Sequence, residues 1–121
     1  MNNKLLPHYI IEFELNETDK PIFIQSIEFA FKQLGWDIVS LTENKIEGHT
    51  SLSLSSYGES ITIDISATKV TIESKCVGNQ LFDWGKNKKN VESLLEQIKI
   101  YEQTEFEINE VTVSETSKND F

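Results

Sequence analysis

The stretch ESITIDISATKVTIESKC, residues 59–76, holds two alternating runs with two residues between them. In the first run Ile61, Ile63 and Ile65 share one side, and Thr62 and Asp64 the other. In the second, Val70, Ile72 and Ser74 share a side, opposite Thr71, Glu73 and Lys75. A period of two is the signature of a half-buried strand. Two residues, Ala67 and Thr68, are enough for a hairpin, and a connection that short makes the pair antiparallel. The same pattern extends towards the N-terminus. "KIEGHTSLSLS" (45–55) predicts a strand with Ile46, Thr50, Leu52 and Leu54 on one face and Glu47, His49, Ser51 and Ser53 on the other. "WDIVSL" (36–41) predicts another, and "TEN" and "SYG" are short separators. "YIIEFEL" (9–15) adds a fifth, with Ile11, Phe13 and Leu15 facing one way and Glu12 and Glu14 the other.

Two segments change to a helical period. From Pro21 to Leu34, residues Phe23, Ile27, Ala30, Phe31 and Leu34 form a stripe widened by Ile24. Thr18 or Asp19 is the expected cap, Pro21 fits the first turn, and Gly35 is the stop. Ile22 and Phe29 fall on the far side of the stripe, which means a helix buried on more than one side, two tolerated exposed residues, or a partner surface. A second helix is expected over 88–102, with Val91, Leu94, Leu95, Ile98 and Tyr101 as its apolar face. The order is therefore β-α-β-β-β-β-α. Only one sheet face is richly apolar, so both helices belong on it, giving an α+β fold with a five-stranded antiparallel sheet. Trp36, next to the helix stop, is the tryptophan expected to be largely buried. Residues 1–104 make one domain. Residues 105–121 are an acidic extension, expected to be mobile from about 114, in which Phe106, Ile108, Val111 and Val113 have the spacing of an edge strand.

The chain has 121 residues, the size of one common domain. It carries a formal charge of −9 and no arginine, which excludes binding of nucleic acid through a broad basic surface. No apolar run approaches the ~20 residues of a membrane-spanning helix, so direct membrane insertion is not expected. One cysteine, Cys76, and an N-terminus without a long apolar run point to the cytoplasm.

The element order is similar to TBP-like and helix-grip folds. That resemblance implies a curved sheet that cups a helix, with an apolar ligand between them or a partner on the open face. Gly35-Trp36, the "SYGE" of 56–59 and the "DWGKNKKN" of 83–90 together resemble a small, poorly characterised bacterial domain. It is found alone or on the cytosolic side of multi-pass, rhomboid-like membrane proteins. The resemblance implies association with a membrane protein and brings no established chemistry.

Three features are candidates for function. The loop "GNQLFDWGKNKKN" (78–90) has two glycines and gathers Lys86, Lys88 and Lys89 where a helix begins. A helix N-terminus is partially positive and favours acids, so three lysines there oppose the usual preference. In one reading Phe82 and Trp84 tuck into the core, Asp83 and Asn90 fix a turn that Gly85 permits, Asp83 or Asn87 caps the helix, and the lysines are solvated or paired with Glu and Asp. In the other the lysines hold an anionic ligand or partner. Tyr57, at a hairpin tip, is a second candidate anchor for a partner. The third is catalysis by Cys76 with His49, which requires hydrogen-bond reach and an orienting group that the sequence does not supply. Paired carboxylates, Glu12 with Glu14 or Asp64 with Glu73, are more simply a solvated strand face. One cysteine and two distant histidines make a poor metal set. The expected function is a non-catalytic binding or regulatory domain without a cofactor, its partner an unknown protein or a small anion. The alternative is a binder of small apolar ligands.

Overall fold

In the computed structural model, residues 8–51, 58–77 and 85–109 are described, with side chains to residue 103. The elements are β1 (His8–Glu14), α1 (Lys20–Leu34), β2 (Asp37–Leu41), β3 (Lys45–His49), β4 (Glu59–Ser66), β5 (Lys69–Cys76) and α2 (Lys86–Asn109). The strands form one antiparallel sheet in the order β1-β5-β4-β3-β2. The fold is thus the expected α+β arrangement, with both helices packed on the same face of the sheet.

The register explains where the core sits. Ile46, Ile63, Ile72 and Ile11 are consecutive cross-strand partners, so four isoleucines cross four strands in one row. Beside it run Ile65, Val70 and Phe13. Phe23, Ile27, Ala30 and Phe31 of α1 and Val91, Leu94 and Ile98 of α2 close over these rows. Every one of these helical residues is at most 5% exposed. The opposite face carries exposed pairs: Lys45 with Asp64 at 4.0 Å, Lys69 with Glu12 at 3.8 Å, and His8 Nδ1 with Glu73 Oε2 at 2.9 Å. Exposed pairs of this kind contribute about 0–1 kcal/mol each.

α1 ends as the sequence predicts. Gly35 takes φ +74°, its N–H donates to Lys32 O, and the Trp36 N–H donates to Phe31 O. This double closure brings Trp36 edge-on to Phe31, with ring centroids 5.5 Å apart. Trp36 is nonetheless only half-buried, where the chain leads into β2 at the edge of the sheet. The start of α1 also differs from expectation. Asp19 occupies the cap position without a side-chain bond, and a 3-10 turn over Glu17–Asp19 leads into the helix instead. α2 begins two residues before the expected start and continues to Asn109, so positions 106 and 108 lie in a helix and not in an edge strand. Leu52 and Leu54 lie outside the described residues, as do Val111 and Val113.

One glycine is fixed by close approach. A Cβ on Gly48 would lie 2.3 Å from the Asp37 carbonyl oxygen and 2.5 Å from Phe31 Cε2. The end of α1 thus presses on β3 where no side chain fits. Gly48→Ala is expected to destabilise the fold by about 1–3 kcal/mol through overpacking. Gly85→Ala has nothing within 4 Å to meet and carries only the strain of φ +79°, roughly 1–2 kcal/mol. Urea unfolding of both variants checks this; an unchanged midpoint for Gly48→Ala contradicts the packing described.

Candidate functional site

Towards the end of the sheet where α2 begins, the inward rows turn polar. Ile61 is followed by Ser74 and Tyr9, and Glu59 is paired with Cys76. Thr50, Glu59, Ser74 and Asn87 are each at most 5% exposed. Buried polar atoms need partners, and these groups supply them to one another. Thr50 Oγ1 donates to Glu59 Oε1 at 3.0 Å, and Asn90 Nδ2 donates to the same oxygen at 2.8 Å. Asn90 Nδ2 also lies 3.1 Å from Ser74 Oγ, which donates to Asn87 Oδ1 at 2.7 Å. Asn87 Nδ2 points at Cys76 Sγ, 3.5 Å away. Asn87 is therefore not a helix cap. It is driven into the sheet, and the first turn of α2 is held by amides where later turns are held by Leu94 and Ile98.

This arrangement sorts the loop candidates. Gly85 stands just before α2, and its carbonyl accepts the first helical bond from Lys89 N at 3.0 Å. Lys88 and Lys89 are exposed and Lys86 is half-buried. Among the described residues none of the three forms an ion pair. Tyr57, Asp83 and Trp84 lie outside the described residues. The buried network below the lysines was missed by sequence reading, apart from Asn90 as a turn-fixing residue. Its signal was Ser74, Asn87 and Asn90 at inward positions of otherwise apolar patterns.

Other candidates are dispersed. His49 sits on the outer sheet face, its Nδ1 4.0 Å from Asp37 Oδ2, whereas Cys76 is buried on the helix face. The sheet itself separates them, so they do not form a nucleophile–base pair. The carboxylates Glu12, Asp64 and Glu73 each have a basic neighbour on the outer face. Phe29 packs against Tyr101 of α2 with centroids 5.1 Å apart, and the Tyr101 hydroxyl donates to Gln25 Oε1 at 3.1 Å. Phe29 thus serves the contact between the helices, while Ile22 stays half-buried at the start of α1. Among the described residues no group of three His, Cys, Asp or Glu is placed to hold a metal. No described helix is long and apolar enough to cross a membrane.

The solvent side of α2 is less closed. An open groove of about 370 Å³ runs between β1, the start of α1 and α2, lined by Phe13, Leu15, Phe23, Leu95, Ile98 and Glu102 among others. Burial in this groove pushes the Glu102 carboxyl above the usual glutamate range, and the charge of Asp19 adds to the shift. A second pocket of about 440 Å³ adjoins Leu95 and Ile100 further round the helix. No protein family's sequence model matches the chain, and no curated protein sequence matches it.

The Glu102 shift sets a pH dependence with a definite sign. Its folded pKa is raised, so the ionised form weakens the fold; this cost is fully present above the folded pKa, declines as pH falls through it, and is gone below the ordinary glutamate value. Glu102→Gln is expected to raise the melting temperature near neutral pH, with the gain shrinking as the pH falls into the usual glutamate range. A gain that is absent at neutral pH contradicts the burial of this carboxyl.

Proposed function

We propose that the chain is a non-catalytic binding domain that works through protein–protein contact along the solvent flank of α2 and the adjoining edge of β1. The observation that carries this reading is the groove beside α2, where Phe13, Leu15 and Leu95 line an open apolar surface. Exposed apolar surface rimmed by charge is a common mark of a docking site. Interior space for a small apolar ligand has less support, because Phe23, Phe31 and Ile27 fill the layer between sheet and helices.

A second reading is favoured by one specific observation, the exposure of Lys88 and Lys89 beside Lys86 in the first turn of α2. These cations supply a local docking point for an anionic group on a chain that is otherwise acidic. In this reading the network of Asn87 and Asn90 holds the turn that presents them.

Lysine cross-linking in native lysate separates these surfaces, because lysines stand on both sides of the molecule. Contacts are expected at Lys88, Lys89 and Lys99 of α2. Cross-links concentrated at Lys45, Lys69 and Lys75 would place the partner on the outer sheet face and overturn the proposal. Changing Lys86, Lys88 and Lys89 together to Gln should leave folding intact, since Lys88 and Lys89 are exposed and Gln keeps most of the stem of the half-buried Lys86; surface changes usually stay within about 0.5 kcal/mol. If the anionic docking reading holds, the same variant no longer retains the partner in a pull-down, which needs no lysine amine; a partner retained in full removes that reading.

A further inference from the structure

The charges along α2 are placed against its own dipole. Residues 86–90 carry three lysines and no acid, whereas residues 102–109 carry Glu102, Glu105 and Glu107 and no base. Cations at a helix N-terminus and acids at its C-terminus are each unfavourable. Beside an antiparallel copy of the same helix both ends are corrected, because each lysine-rich start lies along an acidic end.

The middle of the helix has the same self-complementarity. Glu92, Glu96, Lys99 and Gln103 follow one another at spacings of four, three and four, which sets them on one stripe. A two-fold axis between positions 97 and 98 sets Glu96 opposite the partner subunit's Lys99, and Glu92 opposite the partner subunit's Gln103. Leu95 and Ile100 flank the stripe on its two sides, and Ile100 is 42% exposed. These six residues line the second of the two pockets described above. About this axis the six residues pair among themselves, 92 with 103, 95 with 100 and 96 with 99; an axis between 95 and 96 would join Glu92 to the partner subunit's Lys99 but set the exposed Ile100 against the buried Val91.

We infer that a second copy of this chain docks on the solvent flank of α2, with the two helices antiparallel and centred between Gln97 and Ile98. The inference rests on the reading of α2 as the docking element and names its occupant. The interface is isologous, so each Glu96–Lys99 contact occurs twice.

The test is light scattering after size exclusion, at moderate ionic strength, where repulsion between the acidic chains is screened over about 8 Å. The unaltered chain is expected at twice its 13.9 kDa mass at high micromolar concentration. Glu96→Lys alone creates two Lys–Lys contacts, and Lys99→Glu alone creates two Glu–Glu contacts. Each should weaken self-association by about tenfold or more, roughly 1.4 kcal/mol. An equimolar mixture of the two variants restores both attractive contacts and should recover the doubled mass. Ile100→Glu is a second disrupting variant at an exposed position, and thermal melting of each verifies that it is folded. A monomeric mass for the unaltered chain overturns the inference, as do single variants that self-associate like the parent or a mixture that stays monomeric. A monomer whose α2 lysines still cross-link to a different protein would overturn this inference alone and leave the binding reading standing.

Discussion

Successive side chains of a strand point to opposite faces, and in this chain only one of those faces is apolar. That constraint places both helices. The isoleucine row across β1, β5, β4 and β3 presents a continuous surface that must be covered. The outer face offers Ser, Thr, Asp, Lys and Glu at the alternate positions of β4 and β5, with the lone Ile10 of β1 beside them, and gives a helix too little apolar surface to bury. α1 and α2 therefore lie side by side on one layer and touch through Phe29 and Tyr101. Gly48 sets how close that layer comes, since Phe31 and the Asp37 carbonyl occupy the space of its missing side chain.

The apolar rows do not run the full length of the sheet. Where they give way to Ser74, Cys76 and Glu59, the helix above changes character as well, and Asn87 and Asn90 replace leucine and isoleucine as inward residues. A polar end of this kind is costly if any member lacks a partner, and specific if all are satisfied. It ties the first turn of α2 to β4 and β5. The solvent flank of α2, with its reversed charges and its exposed Ile100, continues from that anchor.

Much of this was legible before the structure. Alternation in residues 59–76 determined the central hairpin, and the short separators determined antiparallel neighbours. The stop at Gly35 followed from its type and position, and the structure adds the double carbonyl closure that Trp36 completes. Trp36 was harder, because its burial depends on β2 lying at an edge, and strand order across the sheet is not written in local pattern. The reach of α2 to Asn109 was missed because an alternating "EFEIN" satisfies a strand template and a helix template alike. The lysines were visible as an anomaly of sign. Asn87 was visible only as a cap candidate, since a residue type that favours caps gives no local sign that it is buried against another element.

α2 is anchored by its polar contact with β5. A double-mutant cycle on Ser74 and Asn87 tests it most directly, with unfolding free energies measured for Ser74→Ala, Asn87→Ala and the pair. The hydrogen bond of 2.7 Å between two fully buried groups predicts a coupling of about 0.5–3 kcal/mol, with the double variant less damaged than the sum of the singles. Additive effects within about 0.3–0.5 kcal/mol would show that this contact does not anchor the helix.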